Sequence, residues 1–172
     1  ASRDCKLRRK MRPVAHHLQT QVPHRSTDEK DIFARSAFNR YYYATFLIVR
    51  AMLRSADKNW HTPDHAQCPK VLRGKVKTRV ASIQKKAERV GDTETQLLCK
   101  SAKHSLHELA SILERSNDVR KVADYEPETG ITFPEDGRFS LNGVDITEAH
   151  EWPNRTEVFT KKILAALRSD NA

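Results

Sequence analysis

The sequence predicts an all-α protein, and three observations support this prediction. Apolar residues recur at intervals of three and four along most of the chain, as they do on one face of a helix. Only five glycines are present, with no repeat period, which excludes a solenoid and a glycine-rich phosphate loop. A length of 172 residues suits one domain with one core. We therefore expect an antiparallel bundle of four or five helices, with a short hairpin or irregular segment near residues 131–145.

The first half of the chain divides into a basic segment, residues 1–30, and the start of the bundle, which spans residues 31–168. The basic segment has weak helical character and should break at Pro23. The first bundle helix should run from about Asp31 to Ser55, because Ser26 or Thr27 can cap its start. One face is apolar. The other face is polar and consists of Arg35, Ser36, Asn39, Tyr43, Arg50 and Arg54. Phe46 lies among these polar residues, which indicates a protein interface.

The middle of the chain predicts a loop and two further helices. Residues 59–69 contain two prolines and are predicted to be a loop. A helix should follow from about Lys70 to Val90, and it is the most basic element of the chain. Gly91 should end it, and the next helix should run from Thr93 to about Glu114. The apolar line of the basic helix consists of Val76, Val80, Ile83, Ala87 and Val90.

The segment after Tyr125 is rich in turn residues. Asn142-Gly143 lies at the centre of residues 139–144, which predicts a small hairpin or an irregular crossing. A last helix should run from Thr147 to Arg168, and Pro153 should kink it or mark its true start. Its apolar residues include Val158, Ile163, Ala166 and Leu167.

The charge of the chain is uneven. The net charge is +9, and residues 1–90 hold 21 basic and 7 acidic groups, a net of +14, whereas residues 91–172 hold 10 and 15, a net of −5. This division indicates a polyanion partner, a self-complementary assembly or a solvated surface. The longest uncharged apolar run, Tyr41–Val49, is too short to span a bilayer. Three irregularly spaced cysteines and the lack of a leader pattern predict a cytoplasmic protein.

Two blocks of sequence resemble those of one protein family. The run from Arg35 to Phe46 (RSAFNRYYYATF), followed by Leu47–Leu53, resembles the Arg-Ser-Ala-Tyr-Tyr-x-x-Tyr-Tyr-Ala-x-Phe helix of HEPN-domain proteins. The run from Leu113 to Pro127 (LERSNDVRKVADYEP) resembles the Arg-x-x-Ala-Asp-Tyr-x-Pro segment that closes a later HEPN helix. Order and separation agree over about residues 30–168.

The resemblance implies a bundle that commonly dimerises and belongs to prokaryotic toxin–antitoxin, phage-defence or nucleotidyltransferase-associated systems. Active members are metal-independent ribonucleases with an Arg-x4–6-His motif. In this chain Tyr125 lies five residues after Arg120, preceded by Asp124, and the next histidine is His150. If cleavage occurs, the resemblance implies that Arg120 clamps the phosphate and that Asp124 or a group from a partner moves the proton. Alternatively these residues close the helix end, with Asp124 paired to an arginine of the first long helix and the Tyr125 ring buried.

Two other sets of residues are candidates for binding. Phosphate binding by lysine and arginine needs no special geometry, although a solvated helix face is the alternative. The candidates for nucleic-acid binding are Arg35, Asn39, Arg50, Arg54, Lys70, Arg73, Lys77, Lys85, Lys86 and Arg89. His61, His65 and Cys68 are metal-ligand types, but a fourth zinc ligand would have to come from elsewhere, so we predict a loop that contains them and no cofactor.

The resemblance to HEPN-domain proteins, together with the basic residues, implies an RNA- or nucleotide-associated component of a prokaryotic toxin–antitoxin or phage-defence system, and a divergent ribonuclease is one form of it. We expect a homodimer or a larger assembly, with a nucleotidyltransferase or a defence effector as a further partner. The alternative is a non-catalytic, dimerising interaction module that docks onto such a protein partner through its charge.

Overall fold

The structure is a computed structural model that describes residues 3–60, 64–134 and 138–171, with side chains from Lys10 to Asp170. The predicted all-α fold is confirmed. Six α-helices and a two-stranded hairpin form in the described ranges. The helices are α1 (Arg3–Gln21), α2 (Thr27–Ala56), α3 (Gln67–Val71), α4 (Lys77–Val90), α5 (Thr93–Tyr125) and α6 (Ile146–Arg168). Short 3-10 turns cover Val22–His24, Lys58–Trp60 and Ser169–Asn171, and a π-helical segment covers Leu72–Val76. None of the described helices carries an apolar stretch long enough to cross a bilayer.

The chain forms two compact units. Unit 1 consists of the described residues of Ala1–Leu47 and Arg115–Asn154, and unit 2 of those of Ile48–Glu114 and Arg155–Ala172. Helices α2, α5 and α6 are therefore each divided between the two units.

Aromatic side chains form the core of unit 1. Phe38 of α2 packs edge-on against Phe139, with ring centroids 5.8 Å apart. Phe46 is only 4% exposed and stacks on Tyr42, so the predicted protein interface at Phe46 is wrong. A side chain with so little exposed surface is not available to a partner. The largest fully buried side chains of this unit are Trp152, Tyr41, Tyr42, Phe38, Phe139, Leu141 and Ile146.

The start of α2 and the hairpin follow local sequence rules. Glu29 Oε2 accepts from the backbone N–H of Ser26 at 3.4 Å, as in a capping box, so the helix begins at Thr27 and not near Asp31. Strands Ser140–Leu141 and Val144–Asp145 pair antiparallel, which confirms the predicted hairpin. Asn142 and Gly143 have φ values of 50° and 70°, the left-handed pair that a tight two-residue turn requires.

In unit 2, helices α3 and α4 form one continuous helical stretch with the π segment between them. Val76, Val80, Ile83 and Ala87 are buried, which confirms most of the predicted apolar line. Val90 is 79% exposed and does not belong to it, because the helix ends there. Gly91 follows in the left-handed conformation with φ 71°.

Helices α5 and α6 are longer or more regular than predicted. Helix α5 continues past Glu114 to Tyr125, because Val119, Val122 and Ala123 are buried and extend its apolar line. Helix α6 contains Pro153 without a break. Of its apolar residues, Ile163 and Ala166 are buried, whereas Val158 is 51% exposed.

Candidate functional site

Arg35 of α2 closes the C-terminal end of α5 in unit 1. Its Nε lies 2.6 Å from Asp31 Oδ2, and its side chain is only 11% exposed. Its two terminal nitrogens donate to backbone carbonyls at and beyond the end of the helix, those of Val122, Glu126, Pro127 and Thr129, at 2.7–3.3 Å. All five guanidinium N–H groups therefore have acceptors. This corrects the interpretation of Arg35, which is a clamp on the helix end and has no N–H left for a phosphate.

The candidate catalytic residues Arg120, Asp124 and Tyr125 do come together, in the last turn of α5. Arg120 Nε lies 2.8 Å from Asp124 Oδ2, and the Asn39 amide of α2 donates to Asp124 Oδ1. Arg120 Cζ lies 5.4 Å from the centre of the Tyr125 ring, and its Nη2 is 3.4 Å from the Tyr125 hydroxyl. Helical spacing explains the ion pair, since residues four apart face each other on a helix.

The alternative interpretation was that these residues close the helix end, with the Tyr125 ring buried and Asp124 paired to an arginine of the first long helix, and both of these details are wrong. Tyr125 is 69% exposed and its ring is not buried, because it is the last residue of α5. Asp124 pairs with Arg120 of its own helix and not with an arginine of α2, since Arg35 is already held by Asp31 and the backbone carbonyls.

The charge state of Arg120 suits anion binding and not proton transfer. Burial lowers the pKa of Arg120, but Asp124, Tyr43 and Tyr125 together raise it above its usual value. The guanidinium therefore keeps its charge. No imidazole is among the described side chains that contact it in unit 1. Among the described side chains, this cluster therefore lacks a group that titrates near neutrality. Such a group is the one best suited to general acid–base catalysis at neutral pH.

An open cationic surface lies in unit 2, on the helical stretch from α3 through α4. We call it the basic face, and it carries eight exposed cations: Lys70, Arg73, Lys75, Lys77, Arg79, Lys85, Lys86 and Arg89. The stretch Gln67–Val90 contains one acidic residue, Glu88, which accepts from Gln84 at 2.8 Å. Lys85 and Arg89 lie one turn apart, opposite the buried Val80–Ile83–Ala87 line.

Three of these cations form ion pairs with distant segments. Arg73 binds Glu114 of α5 through both terminal nitrogens, with Nη2 2.7 Å from Oε2. Asp170 accepts from Lys86 at 2.8 Å and also binds Arg79. The hydrogen bond from Lys86 is the main reason why the pKa of Asp170 lies below its ordinary value.

The other five cations have no ion pair within the described ranges, and they are Lys70, Lys75, Lys77, Lys85 and Arg89. Sequence reasoning placed the basic helix correctly but had no signal for which cations are free. The acidic partners Glu114 and Asp170 are 41 and 84 residues away from the cations they bind.

Arg50 and Arg54 also belong to unit 2, with Arg50 half-buried and Arg54 exposed. Burial, together with Asp64 and against the opposing effect of Arg50, raises the pKa of the Cys68 thiol to about 12. A thiol held protonated in this way is a poor metal ligand, because metals bind the thiolate. His65 is half-buried and His61 lies outside the described residues. The described ranges hold no group of three side chains able to bind a metal ion.

No protein-family model, no curated protein and no solved structure matches this chain. The resemblance to HEPN-domain proteins therefore rests on the two sequence blocks alone.

Proposed function

We propose that this chain is an RNA-binding component of a prokaryotic toxin–antitoxin or phage-defence system, with a HEPN-like fold. The observation that carries the proposal is the basic face, on which five exposed cations have no counterion among the residues described in unit 2. Like charges held together on one helix repel each other, and a polyanion relieves that repulsion.

Counterion release determines how steeply the affinity for RNA should fall with salt. Each cation that neutralises a phosphate releases a counterion, so the affinity for RNA falls linearly in a plot of log affinity against log salt. If all five free cations bind phosphates of a single strand, the slope should be about −3.5, from roughly −0.7 per contact. The bases need not be read for this binding, so the proposed RNA contact is independent of sequence.

The family and system parts of the proposal rest on the two blocks that resemble HEPN-domain proteins, and dimerisation belongs to the same proposal. The structure supports RNA binding more strongly than RNA cleavage, because the Arg120 cluster contains an anion-binding group but no group suited to proton transfer at neutral pH. In a cleaving form, Arg120 would hold the phosphate, and Asp124 or a residue from a partner would move the proton.

A salt titration tests the proposal. Fluorescence anisotropy of a labelled single-stranded RNA is measured with the purified chain over a series of KCl concentrations. We expect a linear loss of affinity in the logarithmic plot. A flat response would contradict RNA binding through the basic face and would favour the interaction module that docks onto a protein partner. Incubation of the RNA in EDTA beside the Arg120→Ala variant tests cleavage separately, since RNA left intact by both proteins excludes the ribonuclease form.

A further inference from the structure

A second group of polar side chains lies in unit 1, away from the cluster at the end of α5. His16 of α1 and His150 of α6 face each other with ring centroids 5.3 Å apart and an interplanar angle of 68°. The Tyr41 hydroxyl of α2 lies 2.8 Å from His150 Nδ1 and 2.6 Å from Gln19 Oε1. Arg12 precedes His16 by one helical turn. His16, Tyr41 and His150 are distant from one another in sequence, so no spacing rule could have grouped them.

The hydrogen bonds determine which nitrogen of His150 carries the proton. A hydroxyl has one hydrogen, and Tyr41 donates it to the carbonyl oxygen of Gln19. His150 Nδ1–H must therefore donate to the Tyr41 oxygen. Burial raises the pKa of Tyr41, so the phenol stays protonated and keeps this chain of hydrogen bonds intact. Nε2 is the remaining nitrogen of His150, an acceptor in the neutral ring and a donor in the protonated ring.

Several charged or polar groups act on His150. His16 of α1 and Tyr41 of α2 contact its ring, Arg12 of α1 acts on it electrostatically, and Glu151 is its neighbour on α6. Burial lowers the pKa of His150; Glu151 raises it, and His16 and Arg12 lower it further. The Glu151 carboxylate is exposed and accepts from Asn154 at 3.2 Å. Arg12 has no ion pair with any residue that the structure describes.

We propose that Arg12, His16 and His150 form a binding site for a phosphate dianion, and that His150 takes up a proton when the dianion binds. The fold brings two imidazoles and one guanidinium into one region, and the one carboxylate that acts on His150, that of Glu151, accepts from Asn154. His16 is exposed and Arg12 is half-buried, so both are open to a ligand. A dianion would supply a stronger countercharge and accept from the guanidinium and from protonated Nε2 of His150. The proposal is independent of the basic face, which lies in unit 2.

Proton uptake determines the pH dependence. A bound dianion stabilises the protonated ring, so the affinity is highest where His150 is protonated and falls as the pH rises above its pKa, by up to about tenfold per pH unit for one proton. Phosphate itself titrates near neutrality, whereas sulfate stays doubly charged. The pH dependence of sulfate binding therefore reports the protonation of the protein alone.

The test uses NMR to follow the imidazole signals of the full chain while sulfate or inorganic phosphate is added at constant ionic strength. The titration is repeated at several pH values between about 5 and 8. We expect saturable shifts of the His16 and His150 signals and a rise in the pKa of His150. Arg12→Gln should weaken sulfate binding at least about fivefold, since a charge-assisted contact is lost. The exposed His17→Gln variant is the matched control and should bind sulfate as the parent chain does.

Two results would overturn the proposal. One is an equal, non-saturating shift of His16, His17, His104, His107 and His150, which indicates an ionic-strength effect. The other is unchanged sulfate affinity in Arg12→Gln. If His150→Gln fails to fold, Arg12→Gln still decides the matter, because Arg12 is only half-buried and has no ion pair with a described residue.

The source of the dianion is tested with the same signals. A 5′-phosphorylated oligoribonucleotide is compared with its 5′-hydroxyl form and with inorganic phosphate. Tighter binding of the phosphorylated form than of inorganic phosphate assigns the site to a nucleic-acid end. Equal binding of the two assigns it to free phosphate. If the RNA affinity of the basic face does not depend on salt, the proposed function is contradicted, but the results of this phosphate-binding test are not affected.

Discussion

The variant Lys77→Ala/Lys85→Ala/Arg89→Ala removes three of the five free cations from the basic face. All three side chains are exposed and have no ion pair with described residues, so their truncation opens no cavity and leaves no buried partner uncompensated. Alanine also keeps the helix, since it has the best helix propensity. For three lost contacts to single-stranded RNA, the salt slope should become less negative by about 2, and the affinity at about 0.1 M salt should fall roughly 100-fold.

The assay is anisotropy of labelled single-stranded RNA across a KCl series, with circular dichroism to confirm the helix content. Two controls separate the basic face from net charge. Lys100→Ala/Lys161→Ala/Lys162→Ala removes the same charge from α5 and α6 and should change the slope by less than half as much. Arg79→Ala removes a cation already bound to Asp170 and should have a smaller effect than Lys85→Ala.

Equal losses of RNA affinity in the two triple variants would refute binding at the basic face, because they would show that only the net charge of the chain matters. An unchanged slope in Lys77→Ala/Lys85→Ala/Arg89→Ala would refute it as well, since counterion release would then come from other residues.

Four further predictions concern the fold. Arg35→Ala removes the donors to four backbone carbonyls at the end of α5 and should lower the free energy of unfolding by about 2–4 kcal/mol in a urea titration, and a loss within error would show that water replaces the clamp. Tyr41→Phe leaves His150 Nδ1 and Gln19 Oε1 without their shared partner and should cost about 1–3 kcal/mol, again by urea unfolding, with Tyr125→Phe at the exposed helix end as a neutral control. Gly143→Ala places a Cβ at φ 70° and should destabilise the chain by about 1 kcal/mol, measured as a lower Tm; an unchanged Tm would contradict the strained turn. Asp170 has a lowered pKa in the folded chain, so its stabilising effect is present above the ordinary carboxyl pKa and is lost as the pH falls below it; Asp170→Asn should make the acid side of the stability profile flatter, and an unaltered profile would contradict this.

The helices and the hairpin could be predicted from the sequence because their signals are local. The Asn142-Gly143 pair supplies two left-handed residues next to each other, which is enough to define the turn. The repeat of apolar residues from Leu72 to Ala87 places one buried line on a helix whatever surrounds it. The error at Val90 has a physical cause: an apolar residue at the right spacing is buried only where another element covers it.

The candidate sites were predicted less completely. Arg120, Asp124 and Tyr125 are neighbours on one helix, so the sequence was sufficient to place them together, but not to show that Tyr125 is exposed. The basic face was also evident, whereas the cations that are neutralised on it depend on Glu114 and Asp170, which come from distant segments.

By itself the sequence determined the all-α class, the hairpin turn and the basic helix, since each depends on residues within a few positions of one another. Only the tertiary structure decided that Arg35 is a clamp and that His150 meets His16 and Tyr41. The physical reason is that a hydrogen bond or an ion pair requires atoms within about 3–4 Å. Between residues far apart in the chain, that approach is set by how the helices pack and not by their spacing in the sequence.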